Sequence, residues 1–326
     1  MRVLADYHHA ELYESLLLLF EDRFGWEVSR PVGHRWYEVG LWRHSNNLAV
    51  VAQFTDMPPH AQLAGDHYEM SSATVHGRRH RLVTYEQFHS TPWDFVLTTL
   101  DGHEQAWQRL ADEIGARAIY QVGNANQPID WTLRHLVLAA ARIEVRGPAL
   151  TYHPEFCCID YRYASPPTPY RITNFMNCLS ASTPAYEDWL SLQAALPEFE
   201  FREHGIDGCD GMLHACAPIG AAMRESGWAF HDKPMSDGYG FVIHQWAATG
   251  RPLLGRARYY AGRLAEPLWG EGITSLDLGR PGAVDRIRAV AADRARHDLM
   301  CRDMAARFGQ LVDFDAEAEA IARFVG

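Results

Sequence analysis

The 326-residue sequence predicts an α/β protein built from two Rossmann-like, doubly wound domains. Three observations carry this. The chain opens strand–turn–helix–strand, the usual start of a doubly wound domain. Near its middle, Pro166, Pro167 and Pro169 stand among aromatic and small residues, as in a linker. Beyond them a second round of strands and helices begins. The expected boundaries are a first domain at 1–156, a linker at 157–170 and a second domain at 171–326, with the last helix crossing back to the first domain.

In the first domain Arg2–Ala5 reads as a buried strand, followed by the polar turn Asp6-Tyr7-His8-His9. Tyr13, Leu16, Leu17, Phe20 and Phe24 fall at helical spacing, Gly25 ends that helix, and Trp26–Ser29 is the next strand. Leu48–Phe54 is a further strand. From residue 56 to about 92 no clean pattern emerges; the stretch carries Pro58-Pro59 and the basic cluster His76–Arg81. A long irregular insertion in a compact domain is usually functional or mobile. Asp94–Thr99 is then a strand, Asp101-Gly102-His103 a turn, and Trp107, Leu110, Ala111 and Ile114 mark one face of a helix. Strands Arg117–Val122 and His135–Ala139 follow, the first closed by Gly123–Asn126. Ligands of doubly wound sheets sit beyond the carboxyl ends of strands. Asp101, His103, Asn124 and Asn126 fall there, as do His8 and His9, although each histidine alone also reads as a solvated loop residue.

The second domain opens with the strand Tyr170–Met176. A helix around Tyr186–Leu196, a strand at Glu200–Glu203 and a helix at Ala217–Glu225 follow. The acidic turn Asp207–Gly211 reads as a plain turn rather than a metal loop. After the strand ending at Phe230 comes a polar turn in which Gly238 and Gly240 bracket Tyr239, then a short helix stopped by Gly250 and Pro252. The amides that such a helix start exposes make it a seat for phosphate. Ile273–Asp277 and helices near 283–293, 296–309 and 314–324 complete the chain, with Met300, Met304 and Phe308 as core.

Composition narrows the class. Forty-seven per cent hydrophobic residues, 22% charged residues and ten tryptophans describe a soluble globular protein. The apolar run Leu16–Leu19 is too short for a membrane span, and no signal peptide is read. Six cysteines without Cys-x-x-Cys spacing point to reduced thiols in a cytoplasm, with neither a disulfide framework nor a zinc site. The net charge of −11 disfavours general attraction to nucleic acid or anionic membrane. Of thirty basic residues only Lys233 is lysine.

The stretch Asp237-Gly238-Tyr239-Gly240 through Gln245 to Gly250-Arg251-Pro252 resembles the nucleotide-binding signature of GT-B glycosyltransferases, acid-Gly-Phe-Gly, four residues, then Glu-Ala-x-Ala-x-Gly-x-Pro. The resemblance implies two Rossmann-like domains facing across a cleft, the second holding a nucleotide-diphospho sugar such as a UDP-sugar as co-substrate, with no bound cofactor and no metal. It places Asp237 near the donor sugar and Gln245 on the nucleotide ribose. Retaining enzymes of this pattern usually show two glutamates there, so the stereochemical outcome stays open; a glutamine amide still bonds a hydroxyl.

Departure of a diphosphate needs positioned cations and amides. Family members often use an Arg and a Lys after the first strand of the second domain, and no such pair follows Met176. Lys233 is the substitute candidate, with Arg251 and Arg256 as alternatives and the amides of Gly238–Gly240 assisting. For an inverting reaction, Asp101 or His103 is the first-choice base toward the acceptor hydroxyl, then His8 and His9. The segments Leu12–Leu16, Phe20–Val28 and Tyr152–Phe156 loosely resemble glycosyltransferases encoded by bacteriophages. That implies a hydroxymethylated pyrimidine in double-stranded phage DNA as acceptor, with Arg78, Arg79 and Arg81 on phosphates. A small molecule or glycan acceptor, a nucleotide-sugar epimerase and a non-catalytic nucleotide-sugar-binding protein stay open beside it.

Overall fold

The computed structural model describes residues 1–6, 10–31, 35, 36, 41, 72–75, 78–99, 102–157, 159–177, 179–205, 207–213, 216–234 and 239–326. The chain divides into two compact units, Met1–Phe156 with Phe314–Gly326, and Cys157–Asp313.

The first unit begins with β1 (Arg2–Ala5), α1 (Ala10–Leu17) and β2 (Glu27–Pro31). Between α1 and β2 the helix widens into a π-type turn over Leu18–Arg23, in which the consecutive residues Leu19 and Phe20 are both buried. Phe20, Trp26 and Phe95 then stack as a ladder with ring centroids 5.2 and 5.3 Å apart. Next come β3 (Ser72–Val75), β4 (Arg78–Val83), α2 (Tyr85–His89), β5 (Phe95–Thr98), α3 (Glu104–Ile114), β6 (Arg117–Val122), β7 (Leu136–Ala139) and β8 (Ala149–Thr151).

Among the described residues these strands form one sheet in the order β3-β4-β2-β1-β5-β6-β7-β8. Every pairing is parallel except that of β3 with β4. The chain steps outward from β1 through β2 to β4, then returns to the other side of β1 with β5. The strand order therefore reverses between β1 and β5.

One expectation needs correction here. The stretch 56–92 is not irregular throughout, since it holds β3, β4 and α2, the last opened by a capping box between Thr84 and Gln87. β4 was hidden because its buried apolar residues, Leu82 and Val83, come only at its end, after Arg78, Arg79, His80 and Arg81. β8, which the sequence did not reveal, has three residues, two half-buried and one exposed, and no alternating pattern to betray it. The expected strand Leu48–Phe54 lies outside the described residues.

The second unit contains β9 (Arg171–Asn174), α4 (Thr183–Ala195), β10 (Glu200–Glu203), α5 (Cys216–Glu225), β11 (Trp228–Phe230), α6 (Phe241–Ala248), β12 (Leu253–Gly255), β13 (Ser275–Asp277), α7 (Ala283–Ala292) and α8 (Arg294–Leu311). Among the described residues its five strands are all parallel, in the order β10-β9-β11-β12-β13. This is the doubly wound 2-1-3-4-5 arrangement, with its reversal between β9 and β11. Trp189, Trp228, Phe230, Leu254 and Ile287 are at most 1% exposed in one core cluster. Burying a Phe, Leu or Ile side chain in this way is worth about 1.5–3 kcal/mol.

After α8 the chain returns to the first unit as α9 (Phe314–Val325). Arg23 locks it there, forking onto Glu155 at 2.5 and 2.8 Å and reaching Asp315 at 2.6 Å. Phe156 meets Phe314 edge to face, and His153 pairs with Glu317 at 2.6 Å. Among the described residues no helix is long and apolar enough to cross a membrane.

Candidate functional site

In the second unit, the reversal of strand order sets Asn174, the last residue of β9, beside Phe230, the last of β11. Asn174 is fully buried. Its Oδ1 accepts from the Met176 amide at 2.5 Å, and its Nδ2 has no hydrogen-bond partner. Beyond β11 runs the segment His231-Asp232-Lys233-Pro234. Three contacts brace it from the chain after β12. The Tyr260 hydroxyl donates to the His231 carbonyl at 2.7 Å, and Arg263 donates to the carbonyls of Lys233 and Pro234 at 3.4 and 3.3 Å. Gly255 passes so close that a Cβ there would stand 2.4 Å from the His231 carbonyl oxygen.

Asp232 is completely buried at this edge. Its Oδ1 accepts from the Arg256 amide at 2.7 Å, while Oδ2 has no hydrogen-bond partner and lies 3.5 Å from Arg256 Nε. Arg256 directs its Nε and Nη2 onto Asp188 of α4, each at 2.7 Å. Two carboxyl groups thus face one guanidinium. Burial first, and then the neighbouring Asp188, push the Asp232 carboxyl up to about 7. Asp188 in turn raises Arg256 above its ordinary value.

The resemblance-bearing stretch resumes at Tyr239, which is buried and stacked on His244 at 4.1 Å. Gly240 precedes α6 with φ +68°, a left-handed conformation that glycine adopts without strain. Its carbonyl accepts from the amides of Ile243 and His244 at 3.0 and 3.2 Å. Gln245 lies one turn into α6, 2% exposed, with Oε1 lacking a hydrogen-bond partner. Lys233 is half-buried. Asp237 and Gly238 lie outside the described residues, so of the predicted donor set the structure locates Lys233, Tyr239, Gly240 and Gln245, all in one unit.

Of the alternative cations, Arg251 is spent on the fold. It is fully buried, and its guanidinium donates to the carbonyls of Thr249, Ser226 and Ala164. Burial pulls it down to about 10. The acidic turn is likewise engaged locally. Asp207 accepts from the Ser180 amide at 3.0 Å, and Asp210 accepts from the Glu203 amide and Arg202 at 2.8 and 2.9 Å.

In the first unit the reversal point brings together the ends of β1 and β5. There the Asp6 amide donates to the Leu97 carbonyl at 2.8 Å, and Thr98 Oγ1 donates to Asp6 Oδ2 at 3.4 Å. His103 is buried and stands just before α3, its carbonyl accepting from the Trp107 amide at 3.0 Å. Asp101, His8 and His9 lie outside the described residues. Asn124 is half-buried and Asn126 exposed in the turn after β6, where Gln127 bonds back to the Gly123 amide at 2.9 Å.

The basic cluster occupies the opposite end of the sheet. Arg78 and Arg79 begin β4, which runs parallel to β2, so they stand at the amino ends of the strands. Arg81 is exposed and paired with Glu27, the first residue of β2. An open depression of about 500 Å³, lined in part by Arg2, Glu27, Trp93 and Asp94, lies at that same amino end. Neither is at the strand ends where a doubly wound sheet takes its ligand.

Sequence reasoning missed Asn174, Asp188 and Asp232, and named Arg256 only as an alternative cation for the diphosphate. Asp232 and Arg256 carried a usable signal, because each closely follows a strand of the second unit. Asp188 carried none, since it belongs to the body of a helix.

Two doubly wound α/β units joined in this way define the GT-B fold. The fold matches solved structures along essentially the whole chain. Anabaena HepE, solved with UDP and glucose, aligns with a TM-score of 0.63 at 12% identity over 99% of this chain and 98% of its own. Sucrose-phosphate synthase from Thermosynechococcus elongatus gives 0.63 at 10% identity over 99% and 97%. An alpha-glucosyltransferase, solved with UDP and a 13-mer DNA containing an HMU base, gives 0.64 at 9% identity over 100% and 99%. At these identities the likeness is one of fold. No family model matches the sequence, and no curated protein sequence matches it.

Proposed function

We propose that the protein is a glycosyltransferase that moves a sugar from a nucleotide-diphospho sugar to a hydroxyl acceptor. One observation carries this: the signature-like stretch is joined to the carboxyl end of the switch-point strand β11, through Lys233 on one side and α6 with its buried Gln245 on the other. A crevice at that position is where doubly wound domains take nucleotides. Fold alone does not assign chemistry, but the three structures above were solved with UDP or belong to sugar-transferring enzymes, which supports a UDP-sugar as donor.

In this reading Asp237 lies at the donor sugar and Gln245 at the ribose. Lys233 and the amides of Gly238, Tyr239 and Gly240 meet the diphosphate, where negative charge grows as the glycosidic bond breaks. No cofactor is bound and no metal takes part. Asp101 and His103 are the candidate bases for the acceptor hydroxyl in the first unit. A hydroxymethylated base in DNA is the acceptor class favoured, because the alpha-glucosyltransferase of matching fold was solved with such a DNA. The net charge of −11 means that any DNA contact must be local. A cytoplasmic location belongs to the same reading.

The test is a thermal-shift screen of nucleotide sugars on the wild type, Asp237→Ala and Gln245→Ala. A ligand at a hundred times its Kd adds about 2.7 kcal/mol of stability. The expected result is a shift with one donor that shrinks in both variants, followed by transfer to hydroxymethylated but not plain DNA. No shift by any nucleotide sugar at millimolar concentration overturns the reading. Binding without turnover or hydrolysis across a broad acceptor panel replaces the enzyme with a sensor.

A further inference from the structure

We propose that Asp232 is a positioning residue of the donor site, one that holds the Lys233 segment ready for a diphosphate only while its carboxyl carries a proton. The inference rests on the donor reading above and adds to it a regulation that the signature stretch does not contain.

The geometry is that of a shared-charge cluster. Asp232 directly precedes Lys233, is fully buried, and ties the segment after β11 to the end of β12 through the 2.7 Å bond from the Arg256 amide to its Oδ1. That bond continues the pairing of the two strands past their last bridge, where the His231 amide donates to the Leu254 carbonyl at 2.9 Å. The guanidinium of the same Arg256 is already committed to Asp188 by two bonds of 2.7 Å. Asp232 Oδ2 is left buried without a hydrogen-bond acceptor role, 3.5 Å from Arg256 Nε.

The charge count decides the behaviour. With Asp188 ionised, Arg256 charged and Asp232 protonated, the cluster is neutral, and Asp232 has an O–H to offer Asp188. Ionising Asp232 leaves one uncompensated negative charge in a desolvated position, one residue before the lysine assigned to the diphosphate. Because Asp232 is fully buried, solvent screens that charge little from a dianion held at Lys233. Around Asp232 stand Asp188 from α4 and Arg256 from the end of β12, with His231 and Lys233 beside it in its own segment. Burial and Asp188 place its ionisation near pH 7, so the switch falls within the working range of a cell. By reciprocity, a bound diphosphate must also favour the protonated carboxyl.

The experiment measures UDP-glucose affinity by titration calorimetry at pH 6 and pH 8. The bridged diphosphate of UDP-glucose keeps both charges over that range, so the ligand does not titrate. With a midpoint near 7, the protonated fraction falls from about nine-tenths to about one-tenth, and wild-type affinity falls about tenfold. In Asp232→Asn the amide keeps both an acceptor for the Arg256 N–H and a donor toward Asp188, and the affinity becomes the same at both pH values. In Asp188→Asn the repulsion is gone and Arg256 is freed for Asp232, so the loss of affinity moves to lower pH. Equal wild-type affinity at pH 6 and 8, or an undiminished tenfold loss in Asp232→Asn, overturns the proposal and leaves the donor reading standing. No wild-type binding of UDP-glucose at either pH overturns the choice of donor, and the proposal falls with it. Should Asp232→Asn fail to fold, the wild-type profile and the direction of the Asp188→Asn shift decide the matter.

Discussion

Replacing Arg251 by methionine separates a structural arginine from a phosphate-binding one. The substitution keeps the aliphatic bulk and removes the guanidinium, which makes four hydrogen bonds to three backbone carbonyls. Bonds from a charged donor are worth about 1.5–3 kcal/mol each. Against them stands the cost of burying the cation, visible in the fall of its pKa to about 10 and equivalent to roughly 3 kcal/mol. The carbonyls of Ser226, Thr249 and Ala164 lose these donors, for a net loss of at least about 3 kcal/mol. For a protein of this size each kcal/mol moves Tm by about 2–4 °C, so unit 2 should melt on the order of 10 °C lower. Differential scanning calorimetry reads this directly, with UDP-glucose added in parallel. A variant that melts like the wild type but loses the nucleotide-induced shift would refute the reasoning, because Arg251 would then be a ligand-binding group.

Two other perturbations test the second unit. His297 is fully buried, with Nε2 donating to the Gly227 carbonyl at 3.0 Å, and burial pulls its pKa down from 6.5 to about 4. A depressed pKa means that the unfolded chain binds the proton more readily. Stability is therefore fully present above 6.5 and is lost between 6.5 and 4, at about 1.4 kcal/mol per pH unit, a slope that His297→Gln should flatten in urea titrations at stepped pH. Gly255→Ala puts a Cβ 2.4 Å from the His231 carbonyl oxygen, a backbone atom that cannot swing aside. The expected cost is about 1–3 kcal/mol, together with weaker nucleotide-sugar binding than in a core variant of matched stability.

The candidate site was legible where chemistry is written locally. The turn before α6, the glycine with positive φ at Gly240 and the position of Gln245 on a helix all follow from residues a few positions apart, and such short-range pattern survives in a linear reading. The basic cluster misled for the same reason. His76–Arg81 is conspicuous in sequence, yet β4 begins within it, at the end of the sheet away from the reversal point. The hairpin of β3 and β4 was illegible because β4 opens with Arg78, Arg79, His80 and Arg81, and its apolar residues, Leu82 and Val83, come only at its end.

The sequence by itself determined the alternation of strands and helices, because burial imposes a period of two or 3.6 on apolar residues wherever an element meets a core. It also determined where two helices stop, at Gly25 and Gly250, because glycine takes the left-handed conformation there without strain. The tertiary structure alone decided which strand ends meet. Strand order depends on crossovers whose contacts leave no local trace, so the reversals at β1/β5 and β9/β11 had to be seen. The same holds for Asp188, Asp232 and Arg256. Arg256 is 68 residues from one carboxylate and 24 from the other, and only folding places three charges where one must give up its ionisation.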